Sequence, residues 1–342
     1  MELSHILETA VNAVVPIVLL MLLGYFLRWI GFLTPEFNRV GMKLVFNVLL
    51  PASLFQTTYN IESFSVIPWN LVIYSMLMLT VTFLAAVKLM PMVTPIPERR
   101  GPLLQTVVRA NSAIIGLPLV EALGGSQEAM VITAVLIAFA VPYMNALAVV
   151  ALSIYMEDDG HRIGFKKILK NIATNPLLIG TALGFVFVLL RSCQNALFGE
   201  VVFSLKEDVP FLFQPISKCA VACTPLALII MGADFRFSAM GDMKKEIIVG
   251  TVNRVLIVPL VGLGLAALLS AYTPLLNCGS AEYPGLIALF GTPVAVSSAI
   301  MAGQMGNDKQ LATQLVVWTS VISILTIFLT VCILMGAGLL IV

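Results

Sequence analysis

Ten apolar runs follow one another through almost the whole chain, at residues 11–30, 38–58, 68–90, 103–123, 129–153, 172–191, 212–232, 246–270, 284–303 and 311–340. About 20 apolar residues in a helix rise far enough to cross the ~30 Å hydrocarbon core of a bilayer. Glycine, proline and charge punctuate the runs. With 59% hydrophobic and 11% charged residues in a chain of 342, no large soluble domain fits beside ten such spans. Between the sixth and seventh runs, the stretch from Cys193 to Val209 mixes Phe and Val with Glu200, Lys206, Glu207 and Asp208 and reads as interfacial.

Charge placement orients the spans. Assigning every Lys and Arg to the nearer membrane face puts sixteen of the 19 on one side and only Arg191, Lys206 and Lys218 on the other. By the positive-inside rule the rich side is cytoplasmic. The expectation is an all-α, multi-pass protein of the cell (inner) membrane with both termini extracytoplasmic. The start Met1-Glu2-Leu3-Ser4-His5 has no Lys or Arg, so the first run reads as a retained helix and not as a secretory signal. A net charge of +1 gives no reason to expect nucleic acid as a partner. Five scattered cysteines make no zinc pattern. Cys193 and Cys278 both fall in connections, and whether they pair stays open.

Prolines mark an internal repeat. Leu50-Pro51 in the second run and Gly116-Leu117-Pro118 in the fourth stand 67 residues apart, proline to proline; Thr224-Pro225 in the seventh and Gly291-Thr292-Pro293 in the ninth stand 68 apart. Pro16 and Pro176 hold the same rank in the first and sixth runs. Spans 1–5 (residues 1–153) and 6–10 (residues 172–342), joined by a cytoplasmic linker 154–171, thus read as two copies of one unit. Five is odd, so the second copy is inverted, which is a transporter architecture. Proline leaves the carbonyl four residues earlier without its helical partner, here those of Ile114 and Leu289. Broken helices are tolerated in a membrane where they line a cavity or are buried in protein. Isolated prolines in such helices are often mere kinks; two Gly-x-Pro elements at matching positions favour a site.

Half-helix N-termini meeting at such a break offer partial positive charge and free amides to an anion. The nearby polar residues are Arg109, Asn111 and Ser112 before Pro118, Tyr143 and Asn145 in span 5, and Thr292, Ser297 and Ser298 around Pro293. Arg109 can fork onto a carboxylate or simply snorkel to the interface. The asparagines and serines can contact substrate or tie helices together. Glu121, one turn past Pro118, is either a coupling group or solvated at the outer interface; Glu62 and Asp234 read as interfacial. No cofactor is called for, and coupling to protons or sodium stays open.

Asn111-Ser112-Ala113-Ile114-Ile115-Gly116-Leu117-Pro118, Gly24-Tyr25 with Leu50-Pro51, Thr224-Pro225-Leu226-Ala227 with Gly232, and Pro293-Val294-Ala295-Val296-Ser297-Ser298-Ala299 together resemble the auxin efflux carrier (PIN-like) family over essentially the whole chain. The resemblance implies a ten-helix fold like that of sodium/proton antiporters and bile-acid symporters. Its scaffold would be spans 1, 2, 6 and 7, its transport domain spans 3–5 and 8–10, with helices 4 and 9 crossing at Pro118 and Pro293. It further implies substrate contact by Asn111 and a homodimer. The long cytoplasmic loop of plant members is replaced by about 18 residues (154–171), which resembles the prokaryotic organic-acid permeases.

The expected function is therefore secondary transport of a small mono- or dicarboxylate such as malate or malonate. Span 5 holds no Asp or Glu, which disfavours cation antiport. The competing readings are a sodium-coupled symporter of related fold and an anion sensor built on a transporter fold. No HExxH, Ser/His pair or nucleotide-binding loop suggests an enzyme.

Overall fold

A computed structural model describes residues 3–61, 68–123, 126–158, 161–162 and 164–340; Glu62 lies outside them. Among the described residues the regular structure is helical except for one antiparallel pair of two-residue strands, β1 (Glu157–Asp158) with β2 (His161–Arg162). Seven helices among the described residues are long and apolar enough to cross a membrane: Pro35–Tyr59, Trp69–Val93, Gln127–Ser153, Pro176–Phe198, Pro210–Asp234, Met240–Tyr272 and Lys309–Gly336. The apolar runs at 103–123 and 284–303 do not form single helices, because each is interrupted by extended backbone.

In chain order the helices are α1 (Leu3–Trp29), α2 (Pro35–Leu44), α3 (Leu50–Tyr59), α4 (Trp69–Val93), α5 (Pro97–Val108), α6 (Leu117–Ala122), α7 (Gln127–Ser153), α8 (Phe165–Ala173), α9 (Pro176–Phe198), α10 (Leu205–Asp208), α11 (Pro210–Asp234), α12 (Lys244–Val252), α13 (Val258–Tyr272), α14 (Tyr283–Leu286), α15 (Ser297–Gln304) and α16 (Lys309–Gly336). Side chains cap many of their starts: Thr34, Ser126, Asn175 and Asp308 each accept from an amide of the first turn. The expected 154–171 linker is more structured than its polar composition suggests, since it holds the strand pair and most of α8. That helix carries Lys166, Lys167 and Lys170 beside Leu169 and Ile172, the pattern of a helix lying along a membrane surface.

Four wide turns with i→i+5 hydrogen bonding, at Val45–Leu49, Ser112–Gly116, Asn253–Ile257 and Ile287–Gly291, each end two residues before a proline: Pro51, Pro118, Pro259 and Pro293. A proline cannot donate to the carbonyl four residues back, and widening the turn lets neighbouring carbonyls find the next amide along. Thus Leu50 N–H bonds the Val45 carbonyl, Leu117 that of Ser112, and Val258 that of Asn253. At the first three sites the helix runs on. At Pro293 it stops, and Thr292 turns to extended backbone (φ −79°, ψ 155°).

Two pairs of small residues set the closest packing. A Cβ on Gly24 of α1 would fall 1.9 Å from the Ile229 carbonyl oxygen, and one on Gly232 of α11 would fall 1.8 Å from that of Met21. The two helices therefore touch backbone to backbone, as membrane helices with glycine at the crossing can. Gly180 and Gly184 let α9 settle on α3 in the same way, against Pro51 and Thr58. Hydroxyls within the apolar helices are satisfied locally: Thr57, Thr58, Thr181, Thr313 and Thr319 each donate to the carbonyl four residues back. All five cysteines are free.

Candidate functional site

The two interrupted apolar runs meet at their interruptions. Residues 109–111, which separate α5 from the helical stretch 112–122, lie antiparallel to residues 293–295, which follow the stretch 283–291. Asn111 N–H donates to the Pro293 carbonyl at 2.8 Å, and Ala295 N–H donates to the Arg109 carbonyl at 3.2 Å. Each extended segment thus satisfies backbone groups that the other would leave bare at membrane depth. The stretch 112–122 and α15 both start at this crossing, so two helix N-termini come together there.

Pro118 was expected at the crossing and is not there. Its helix is continuous from 112 to 122, because the wide turn at Ser112–Gly116 absorbs the missing N–H, and the interruption falls two turns earlier, at Arg109–Asn111. Pro293 does lie at the crossing. The carbonyl it was expected to release, Leu289, is held by Arg254: Nη2 donates to Leu289 O at 2.9 Å and Phe290 O at 3.4 Å, and Nε to Thr292 O at 2.7 Å. Arg254 is fully buried and caps the C-terminal end of the half-helix with positive charge, where the helix dipole favours it.

Beside the crossing is a cavity of about 100 Å³. Its walls come from the crossing and the helix starts after it (Arg109, Asn111, Ile114, Ser297), from α7 (Val141, Met144, Asn145), from α3 (Leu50, Ser53, Thr57) and from α11 (Cys223, Thr224, Ala227). Among the described residues Arg109 is its only charged wall residue, and no Asp or Glu lines it. Arg109 is 4% exposed, so it does not snorkel. Its Nη2 donates to Asn145 Oδ1 at 2.8 Å and Ser297 Oγ at 2.6 Å, and Nη1 reaches Gln105 Oε1 at 3.4 Å beside the Met301 sulfur. Asn145 is turned by that bond so that its Nδ2 has no partner among the described residues, and neither has Asn111 Nδ2. Apart from hydroxyls, the polar lining is therefore a buried cation with two amide groups whose donors are unspent among the described residues.

The other expected site residues divide. Ser297 lines the cavity; Ser112 and Ser298 are buried outside its lining, their hydroxyls without a partner among the described residues. Thr292 is spent on structure, its hydroxyl on the Ala288 carbonyl. Tyr143 points to Thr80 on α4 and is not brought to the cavity. Glu121 is exposed near the end of α6 and lies apart from the lining. Ser53, Thr57 and Thr224 also line the cavity; the Leu50-Pro51 and Thr224-Pro225 markers place these turns at the depth of the break.

A family model described as membrane transport protein matches residues 9–331 of the chain. No curated protein matches it. The match covers nearly the whole helical bundle, interrupted helices and cavity included, and the chain belongs to the auxin efflux carrier, or PIN-like, family of membrane transport proteins.

Proposed function

We propose that the protein is a secondary transporter of small organic anions, mono- or dicarboxylates of the size of malonate or malate, and that the cavity at Arg109, Asn111 and Asn145 binds the carboxylate. The observation that carries this is a buried guanidinium with no carboxylate partner among the described residues, flanked by two amide donors unspent among them. Desolvating such a charge is expensive by several kcal/mol, and an anion supplies the missing half of the pair with a bidentate geometry. A cation substrate would meet no acceptor charge there.

In this reading ten spans form two inverted repeats, residues 1–153 and 172–342 with 154–171 between them. Spans 1, 2, 6 and 7 act as scaffold, and spans 3–5 and 8–10 carry the site in alternating access. What supports the division is that α1 packs most extensively along α11 and α3 along α9, while the cavity takes one wall from α3 and α11 and the other from the crossing and α7. The protein would sit in the cell membrane with both termini outside, as a homodimer through its scaffold, and protons or sodium would drive it; Glu121 is the candidate proton carrier.

The test is uptake of labelled malonate and malate into proteoliposomes with and without sodium and pH gradients, for the parent, Asn111→Ala and Arg109→Ala. Saturable flux in the parent that both substitutions lower roughly tenfold or more is the expected result. Binding without flux would replace transport by sensing, and flux indifferent to both substitutions would remove the cavity from the path.

A further inference from the structure

A second cavity, of about 420 Å³, opens at the end of the molecule that carries the surplus of Lys and Arg. Four cationic side chains line it, Arg28 from α1, Arg39 from α2, Arg236 after α11 and Lys309 from α16, against one carboxylate, Asp234. That carboxylate is already committed. Its Oδ2 pairs with Lys309 and its Oδ1 accepts from Asn38 Nδ2 at 3.2 Å. Among the described residues none of the three arginines pairs with a carboxylate, so the cavity holds positive charge that nothing in it balances.

Its position is set by the same elements that build the cavity at the crossing. Along α11 the walls change from Ala227 to Ala233, and along α15 from Ser297 to Gly303. Six residues in each helix is a rise of about 9 Å. The two cavities thus stand one behind the other. Between the helix groups at this level runs the Asp234–Lys309 ion pair, which joins α11 to α16.

We propose that this cavity is a second anion site, for an oxyanion such as a phosphate or a polycarboxylate, and that an anion held by Arg39 and Arg236 competes with Asp234 for Lys309. Occupancy would then loosen the strap between α11 and α16. The chemistry is the same for a dissolved anion and for a phospholipid headgroup. The inference stands on this cavity's own charge, whether or not the deeper cavity carries substrate.

Binding of labelled inorganic phosphate to the full chain, in neutral detergent and in lipid nanodiscs, tests it. Arg39 and Arg236 are exposed, so the Arg39→Gln/Arg236→Gln double variant should fold, as its thermal midpoint will report. The expected results are binding weakened roughly tenfold in the double variant and tightened roughly threefold by Asp234→Asn, which frees Lys309. The opposite signs of the two are what a merely structural role would not produce. Loss of phosphate binding in phosphatidylglycerol discs but not in phosphatidylcholine discs identifies a headgroup as occupant, and retention in both identifies a dissolved anion; either keeps the site. Phosphate binding equal in parent and double variant, or absent from the parent in detergent and in both discs, overturns it. Loss in Arg109→Ala alone would move the bound phosphate to the deeper cavity and equally overturn it.

Discussion

The backbone N–H of Asn111 donates to the carbonyl of Pro293 at 2.8 Å, which locks the two helix interruptions into one antiparallel crossing. Because that bond uses the main chain, the Asn111 side chain is left to line the cavity, its buried Nδ2 without a partner among the described residues. Asn111→Ala is therefore expected to keep the fold and lose binding. Malonate uptake should fall roughly tenfold to a hundredfold, for a lost hydrogen bond to a charged group of about 1.5–3 kcal/mol, with the thermal midpoint of the purified protein near the parent's.

Asn145→Asp makes the opposite experiment. It would place a carboxylate where Asn145 Oδ1 now accepts from Arg109 at 2.8 Å, so the guanidinium would be neutralised from within the protein. Anion uptake should disappear while thermal stability holds or rises. Persisting uptake in this variant would show that Arg109 is not the anion's partner.

Arg254 holds three main-chain carbonyls at the end of a half-helix. Arg254→Ala leaves them buried without a donor, and at about 1–3 kcal/mol for each orphaned group the variant should unfold well below the parent in a thermal melt. Arg254→Gln, which keeps donors on a shorter side chain, should recover part of that loss.

Gly232→Ala puts a methyl group where the Met21 carbonyl oxygen would be 1.8 Å away. Helices α1 and α11 must then separate, and overpacking of this kind typically destabilises by about 1–3 kcal/mol. A lowered thermal midpoint is expected, and the same is expected of Gly24→Ala from the other side of the contact.

Cys278 lies in the connection before α14, and burial, aided by the nearby Glu282 charge, pushes its thiol up to about 12. The thiolate is the reactive form, so maleimide labelling of Cys278 should be slow at neutral pH. Cys193 is exposed and should label first; mass spectrometry of the labelled peptides separates the two.

Much of this protein is legible without its structure, and the reason is the bilayer. Hydrocarbon demands long apolar helices, so the helices follow the apolar runs closely, as Gln127–Ser153 follows the run at 129–153 and Pro210–Asp234 the run at 212–232. It also penalises every bare peptide group, so Gly-x-Pro in the fourth and ninth runs announced that something must answer for the lost hydrogen bonds. The residue types at the site, Arg109, Asn111, Asn145 and Ser297, follow from the same depth in the chain.

What the sequence determined by itself is where the chain is apolar, which runs are weakened, and which polar groups lie near the weak points. Only the tertiary structure decided how each weakness is resolved. Pro118 is absorbed by a widened turn, whereas Pro293 ends its helix and is answered by Arg254 from another element. Tyr143 turns to Thr80 and Thr292 to its own helix, while Ser53, Thr57 and Thr224 come in from helices that proline had marked only as bent. A proline removes one donor wherever it stands, but which atom takes its place depends on what packs there, and that is a property of contacts between segments far apart in the chain.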